Sequence, residues 1–141
     1  TLADAEPELA SADFVPGGHG GVDVSLVATL RFPGDVLALF DCGLSYSGGG
    51  YLEAVGSDGS ILLADPWHAT NAIIEVRRGD GSVQRIDPGP ANSYALELAD
   101  FEAAVRGEHQ PLLGRDDALG QARTIAALYT SAERNASCPI G

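Results

Sequence analysis

The chain has 141 residues, which is enough for one domain with a hydrophobic core of its own. Its 20 acidic and 8 basic residues give a formal net charge of −12, which repels phosphate backbones and anionic membrane surfaces. Because the sequence has no apolar run of membrane-spanning length and no secretory signal pattern at its start, we expect a cytoplasmic protein that binds neither nucleic acid nor membrane.

The first third of the chain predicts a strand followed by a β-hairpin. Residues 8–15 suit a first strand, and a flexible Gly-rich loop at residues 16–21 follows it. Residues 22–32 alternate apolar and polar side chains, which is the period of a strand with one face on a core. After a turn at residues 33–35, the return strand at residues 36–46 is apolar on both faces. Such a strand needs a second covering layer, so we expect one sheet face to meet a further domain or another subunit.

Two further hairpins and two helices complete the predicted order. The hairpin turns are Ser57-Asp58-Gly59 and Gly79-Asp80-Gly81. The first helix has Asn92 or Ser93 as its N-cap and ends before Gly107. The residues expected on its apolar face are Tyr94, Leu98, Phe101 and Val105.

The second helix begins with Asp116 and Asp117, near its positive end. The residues expected on its buried stripe are Ala118, Ala122, Ile125 and Tyr129. Strands first and helices last predict an α+β fold: a largely antiparallel open sheet with two C-terminal helices packed on one face, and the other face for oligomer contacts. We expect Leu30 and Phe40 in the core and Phe101 packed on the sheet.

Cysteine and histidine spacing predicts no metal site. Cys42 lies within a strand pattern and Cys138 in the tail, so we expect two thiols rather than a disulfide. The three histidines, His19, His68 and His109, are scattered without the spacing of zinc ligands.

Residues 92–135 carry an ordered series of short motifs: Tyr94, Asp100-Phe101, Arg106-Gly107, Pro111, Asp117-Ala118 and Ser131-Ala132. In this order the segment resembles the end of the glucose–fructose oxidoreductase/inositol dehydrogenase family, the Gfo/Idh/MocA-type dehydrogenases. The resemblance extends over residues 22–135, including the hairpin and the segment YLEAVGSDGSILL.

The resemblance implies that residues 1–141 are a single domain, the C-terminal substrate and oligomerisation half of a two-domain dehydrogenase whose N-terminal Rossmann half is absent. Such enzymes transfer hydride between NAD or NADP and a carbon of a sugar, cyclitol or related hydroxy compound, and their general acid/base is a Lys outside this half. The chain contains no Lys. By this resemblance it supplies pocket walls for a small-molecule substrate and contacts for a homodimer or tetramer, holds no catalytic or cofactor-binding residue, and is inactive alone.

The glycine pattern also lacks a dinucleotide fingerprint. That fingerprint, G-x-G-x-x-G, brings backbone amides and a helix N-terminus to the pyrophosphate. Three glycine runs each fail at the third glycine, where Asp23, Glu53 and Gln84 stand. The alternative function is a stand-alone, non-catalytic binding or assembly module with the same fold. A Rossmann half encoded in frame upstream of Thr1 would favour the first function, and a start codon there the second.

Four residues are candidates for substrate contact. Trp67 and His68 follow a strand, and an indole beside an imidazole suits a sugar cleft, although Trp67 also fits a loop anchor on the sheet. Tyr46 precedes a Gly-rich loop, where a pocket rim would lie. Tyr94 occupies the position at which some members of the resembled family face the substrate, and core packing is its alternative.

Overall fold

The computed structural model describes residues 3–18, 21–47 and 50–141, so the predicted loop at residues 16–21 lies partly outside the described residues. Within these ranges the predicted order of strands and helices is confirmed. The elements are β1 (Leu9–Pro16), β2 (Asp23–Arg31), β3 (Leu37–Gly43), β4 (Leu52–Gly56), β5 (Gly59–Leu63), β6 (Ile74–Arg78), β7 (Val83–Ile86), α1 (Ser93–Val105), α2 (Arg115–Arg134) and β8 (Cys138–Pro139).

The strands form two antiparallel four-stranded sheets, and the α+β class is confirmed. The sequence predicted one sheet, whereas the structure divides the strands between two compact units. The first unit comprises residues 1–47 and 113–141 and contains α2 with the sheet β3-β2-β1-β8. The second unit comprises residues 48–112 and contains α1 with the sheet β4-β5-β6-β7.

The core of the first unit lies between its sheet and α2. Ala28 of β2 pairs with Ala12 of β1 and with Phe40 of β3, so these three side chains share one face. The helix packs over β1 and β8 on this face. The buried apolar residues are Ala10, Leu26, Ala28, Ala127, Leu128 and Ala132. Leu30 packs against them as predicted, but Phe40 is 37% exposed because it lies on the edge strand, away from β1 and the helix.

α2 faces the sheet mostly with small residues, together with Leu128, and the predicted buried stripe is wrong. Ile125 and Tyr129 of that stripe are exposed. The residues buried on this helix are Gly120, Ala127, Leu128, Ser131 and Ala132. A Cβ added at Gly120 would lie 2.5 Å from a carboxylate oxygen at the end of the exposed Glu6 side chain, which would have to move to admit it. The predicted stripe follows helical spacing, which does not specify which side of the helix the sheet covers.

Ser131 joins α2 to the sheet. Its hydroxyl accepts a hydrogen bond of 3.0 Å from the backbone N–H of Ala12, and the residue is 1% exposed. Strand β8 pairs only with Leu9 and Ala10 of β1, so strand pairing on that side has already ended before Ala12. The serine therefore satisfies a strand N–H that would otherwise be unpaired beneath the helix.

The opposite face of the first sheet exposes apolar side chains among polar ones. Val27, Leu37 and Leu39 share this face with Thr29, Arg31 and Asp41, and Leu39 is 84% exposed. Leu37 and Leu39 lie on the predicted face of the return strand, although β3 ends at Gly43 and not at Tyr46. We call the surface of Val27, Leu37 and Leu39 the outer face below.

The second sheet has one charged and one apolar face. On the charged face, Glu75 forms ion pairs of 2.9 Å with both Arg77 and Arg85, and Arg77 also lies 3.6 Å from Glu53. The two arginines, Arg77 first, lower the pKa of Glu75. The register places apolar residues on the other face: Leu52, Ile61, Leu63, Ile74, Val76 and Ile86.

α1 has the predicted ends but not the predicted packing. The side chain of Asn92 accepts a hydrogen bond of 3.1 Å from the backbone N–H of Ala95, and Gly107 follows the helix with a φ of 77°. The helix has no buried residue, and Phe101 is 64% exposed, so its predicted packing on a sheet is wrong. Helical spacing predicts a face that can be covered, but it does not specify what covers that face.

Ser131→Ala should reduce the free energy of unfolding of the chain by about 1–3 kcal/mol, because the buried N–H of Ala12 loses its acceptor. Urea denaturation followed by circular dichroism measures this difference. Thr130→Ala is the matched control, since the Thr130 hydroxyl bonds only to the carbonyl of Ala126 in its own helix. Equal stability of the two variants would contradict the role of Ser131.

Candidate functional site

The segment between β5 and β6 is organised by Asp65. Its carboxylate accepts hydrogen bonds from the backbone N–H groups of His68 (3.2 Å), Thr70 (2.8 Å) and Asn71 (3.2 Å), and from the Thr70 hydroxyl. These bonds, that of the Thr70 hydroxyl first, hold the pKa of Asp65 well below its usual range. Asp65 is therefore an ionised acceptor that closes the segment Asp65–Asn71 into a loop, which we call the Asp65 loop.

The Asp65 loop presents Trp67 and His68 to solvent. Trp67 is 64% exposed, and the side chain of His68 is 72% exposed with its Nδ1 atom 3.6 Å from Asp65. A Cβ added at Gly50 would lie 2.9 Å from the indole Nε1 of Trp67, so the indole edge lies against glycine backbone. The hydrogen bonds of Asp65 close the loop, and most of the indole surface is exposed.

A cavity of about 190 Å³ borders the Asp65 loop. Its lining is mostly aliphatic and includes Leu63, Pro66, Ala69, Ile74 and Pro88. Asp65 and Asn71 also line this cavity. This cavity is smaller than the roughly 300–1,000 Å³ of most ligand pockets, and neither Trp67 nor His68 lines it.

Tyr46 lies in the first unit, against a second glycine. A Cβ added at Gly43 would lie 3.0 Å from the Cζ atom of the Tyr46 ring, so the ring rests on glycine backbone. Gly43 also lines a cavity of about 350 Å³, together with Val22, Asp23, Val24, Cys42 and Leu44. Tyr46 itself does not line this cavity, so its place at a pocket rim stays a prediction.

Asp23 and Tyr129 form a hydrogen-bonded pair in the same unit. The Tyr129 hydroxyl donates to Asp23 over 2.7 Å, and its ring packs edge to face on Phe14 with centroids 6.1 Å apart. The carboxylate accepting this bond raises the pKa of the Tyr129 phenol. The pair ties α2 to the start of β2.

The structure brings together two of the four candidate residues. Trp67 and His68 share the Asp65 loop, Tyr46 lies in the first unit, and Tyr94 is a 71% exposed residue on α1. Sequence reasoning missed Asp65, which organises the loop. The signal was present in the sequence: an Asp followed by Pro, with Thr and Asn five and six positions later, is typical of a side chain that caps its own turn.

The first turn of α2 carries Asp116 and Asp117, which disfavour an anionic group at that helix N-terminus. Among the described residues no group of three or more His, Cys, Asp or Glu side chains has the arrangement of a metal site. Neither helix of the described chain has the length and apolar character needed to cross a membrane.

The family model for the oxidoreductase family C-terminal alpha/beta domain, of Gfo/Idh/MocA type, matches residues 5–140. The chain belongs to this family. No curated protein sequence matches it significantly.

Solved structures agree on the fold of this Gfo/Idh/MocA-type domain. An aldose–aldose oxidoreductase from Caulobacter crescentus, complexed with glycerol, has a TM-score of 0.82 at 19% identity, with 96% of this chain and 42% of that chain covered. An Agrobacterium radiobacter oxidoreductase in complex with NAD+, L-tartaric acid and magnesium has a TM-score of 0.76 at 14% identity, with 96% and 44% covered.

A third neighbour is an oxidoreductase domain protein from Kribbella flavida, with a TM-score of 0.76 at 16% identity and 98% and 47% coverage. At these identities the likeness shows the fold alone. The chain spans less than half the length of each of these three structures.

Asp23→Asn should lower the pKa of Tyr129 toward the ordinary tyrosine value of about 10. Because the folded-state pKa is raised, the stability contributed by the pair is fully present below the unfolded-state pKa and is lost as pH rises through the folded-state pKa. Phenolate absorbance during an alkaline titration should show a late transition that belongs to Tyr129. Tyr129→Phe should remove it and Tyr51→Phe should not; an unchanged late transition in Asp23→Asn would contradict the pairing.

Proposed function

We propose that this domain is the substrate-side half of an NAD(P)-dependent oxidoreductase acting on a sugar, a cyclitol or a related hydroxy compound. Membership of an oxidoreductase family as its C-terminal domain supports the reaction class. The observation that carries the substrate class is the Asp65 loop, which presents an exposed indole beside an exposed imidazole.

The two side chains match the two kinds of surface on a polyhydroxylated ring. The indole of Trp67 offers an apolar face to the C–H groups of the ring. The imidazole of His68 has two ring nitrogens that exchange hydrogen bonds with hydroxyl groups. Two of the structural neighbours were solved with glycerol and with L-tartaric acid, which are both hydroxy compounds, and this agrees with the proposed substrate class.

The nicotinamide cofactor, NAD or NADP, would bind in a part of the parent protein outside this chain. The glycine runs without a third glycine and the acidic first turn of α2 support this assignment. The chain also contains no Lys for the proton transfer that accompanies hydride transfer in the resembled enzymes. Its role in the reaction would be to bind and orient the substrate.

Ligand titration of the purified chain tests this function, because Trp67 is its only tryptophan. We expect myo-inositol or D-glucose to change the fluorescence of Trp67 saturably. NADH should cause no saturable change in the fluorescence of Trp67. His68→Ala should weaken the polyol response, whereas His109→Ala, at an exposed histidine in the link between α1 and α2, should not. Absence of any polyol response, or saturable binding of NADH, would contradict the proposal.

We also propose that the outer face forms the contact of a homodimer, as half of a larger assembly or as the dimer itself. Leu37 and Leu39 are 67% and 84% exposed on this face, beside Val27. Burying apolar surface in a contact between two copies would stabilise the dimer by about 25 cal/mol for each Å² removed from water. A two-fold axis through the outer face would bury the same residues of both copies.

Leu39→Asp should convert the dimer into a monomer, because a carboxylate in the contact would lose its hydration without gaining a partner. Sedimentation velocity at roughly 50 µM, where a specific interface is occupied, measures the change. Leu112→Asp is the matched control, since Leu112 is as exposed as Leu39, at 84%, but lies in the link between the helices. An unmutated chain that sediments as a monomer would contradict the proposal.

A further inference from the structure

We propose that Asp65 is a positioning residue that fixes Trp67 and His68 in the geometry used for substrate recognition; this inference rests on the proposed function. Asp65 lies at the start of the loop and its side chain is only 18% exposed, whereas the two side chains that it positions project outward. The backbone N–H groups that it accepts belong to residues C-terminal to Trp67, namely His68, Thr70 and Asn71. Asp65 therefore closes a loop that contains Trp67.

The two carboxylate oxygens hold different parts of the loop. Oδ1 accepts from the backbone N–H of His68 at 3.2 Å and lies 3.6 Å from the imidazole Nδ1 of the same residue. Oδ2 accepts from the N–H groups of Thr70 and Asn71 at 2.8 Å and 3.2 Å, and from the Thr70 hydroxyl. One oxygen therefore sets the position of His68, and the other closes the C-terminal end of the loop.

The same bonds hold a backbone conformation that the sequence alone does not favour. Ala69 has a φ of 53°, in the left-handed region, which is uncommon for residues other than glycine. It lies between His68 and Thr70, both of which donate their N–H groups to Asp65. In the part of the chain that the structure describes, Asp65 is the only side chain that accepts hydrogen bonds from this turn.

The hydrogen bonds of Asp65 are made within the loop, so we expect Asp65 to act on the loop and not on the substrate. Four donors from the loop already occupy its oxygens, so it holds the loop and does not serve as a base. Fixing two recognition side chains before binding removes the cost of ordering them with the ligand. It also sets the spacing between indole and imidazole, which favours rings whose C–H face and hydroxyl match that spacing.

The test measures loop order and ligand binding separately. Time-resolved fluorescence anisotropy of Trp67, the only tryptophan, reports the motion of the loop without any ligand. We expect Asp65→Ala to add a nanosecond motion that the unmutated chain lacks. Asp65→Asn retains one acceptor oxygen for Thr70 and Asn71, so it should be intermediate, and Thr70→Val should loosen only the C-terminal end of the loop.

Asp80→Ala is the matched control. Asp80 accepts the backbone N–H of Ser82 at 2.8 Å in a hairpin turn of the same unit, but it holds no aromatic residue. Its anisotropy decay should equal that of the unmutated chain. Circular dichroism of each variant establishes that the second sheet is still formed.

The ligand arm uses myo-inositol as the probe. Asp65→Ala should weaken its binding about tenfold, the change expected from two side chains that must be ordered on binding. An anisotropy decay in Asp65→Ala identical to that of the unmutated chain, or an equal change in Asp80→Ala, would overturn the positioning role. A third outcome separates the two proposals. If Asp65→Ala adds the nanosecond motion but the unmutated chain does not bind myo-inositol, the result supports the positioning of Trp67 and contradicts the proposed substrate class.

Discussion

The packing of α2 on β1 is the constraint on which the first unit depends. A larger side chain in place of Ala127 or Ala132 would push α2 away from the sheet and carry the Ser131 hydroxyl out of reach of the N–H of Ala12. Where the chain returns after the helix, β8 pairs with β1. The small buried core of this unit follows from that geometry, because small side chains remove little apolar area from water.

Glycine backbone supports two of the aromatic candidates for substrate contact. Tyr46 rests on Gly43 in the first unit, and Trp67 rests on Gly50 in the second. In both cases an added Cβ would come within about 3.0 Å of the ring, so glycine leaves room for the ring edge while a large part of the aromatic stays exposed. This arrangement presents apolar surface at a defined position without a deep pocket, which suits ligands that carry both C–H and hydroxyl groups.

The two units expose apolar surface in different ways. In the first unit the outer face belongs to a regular sheet whose other face is packed on α2. In the second unit α1 has no buried residue, although its cap and its end are well defined. Such surfaces are unusual on a protein that works alone, and they agree with a domain whose relatives in solved structures are more than twice its length.

The sequence alone determined the order of the strands and helices, the turns and the family, because these depend on local spacing and on short motifs; it left the N-cap of α1 open between Asn92 and Ser93, and the structure assigns Asn92. Only the tertiary structure decided that α2 buries Gly120 and Ser131 and not Ile125, since the choice depends on how closely the helix approaches β1. Trp67 and His68 could be named from the sequence. Asp65, which fixes them, required the structure, because its role consists of hydrogen bonds to residues three to six positions away, and these exist only once the loop is folded.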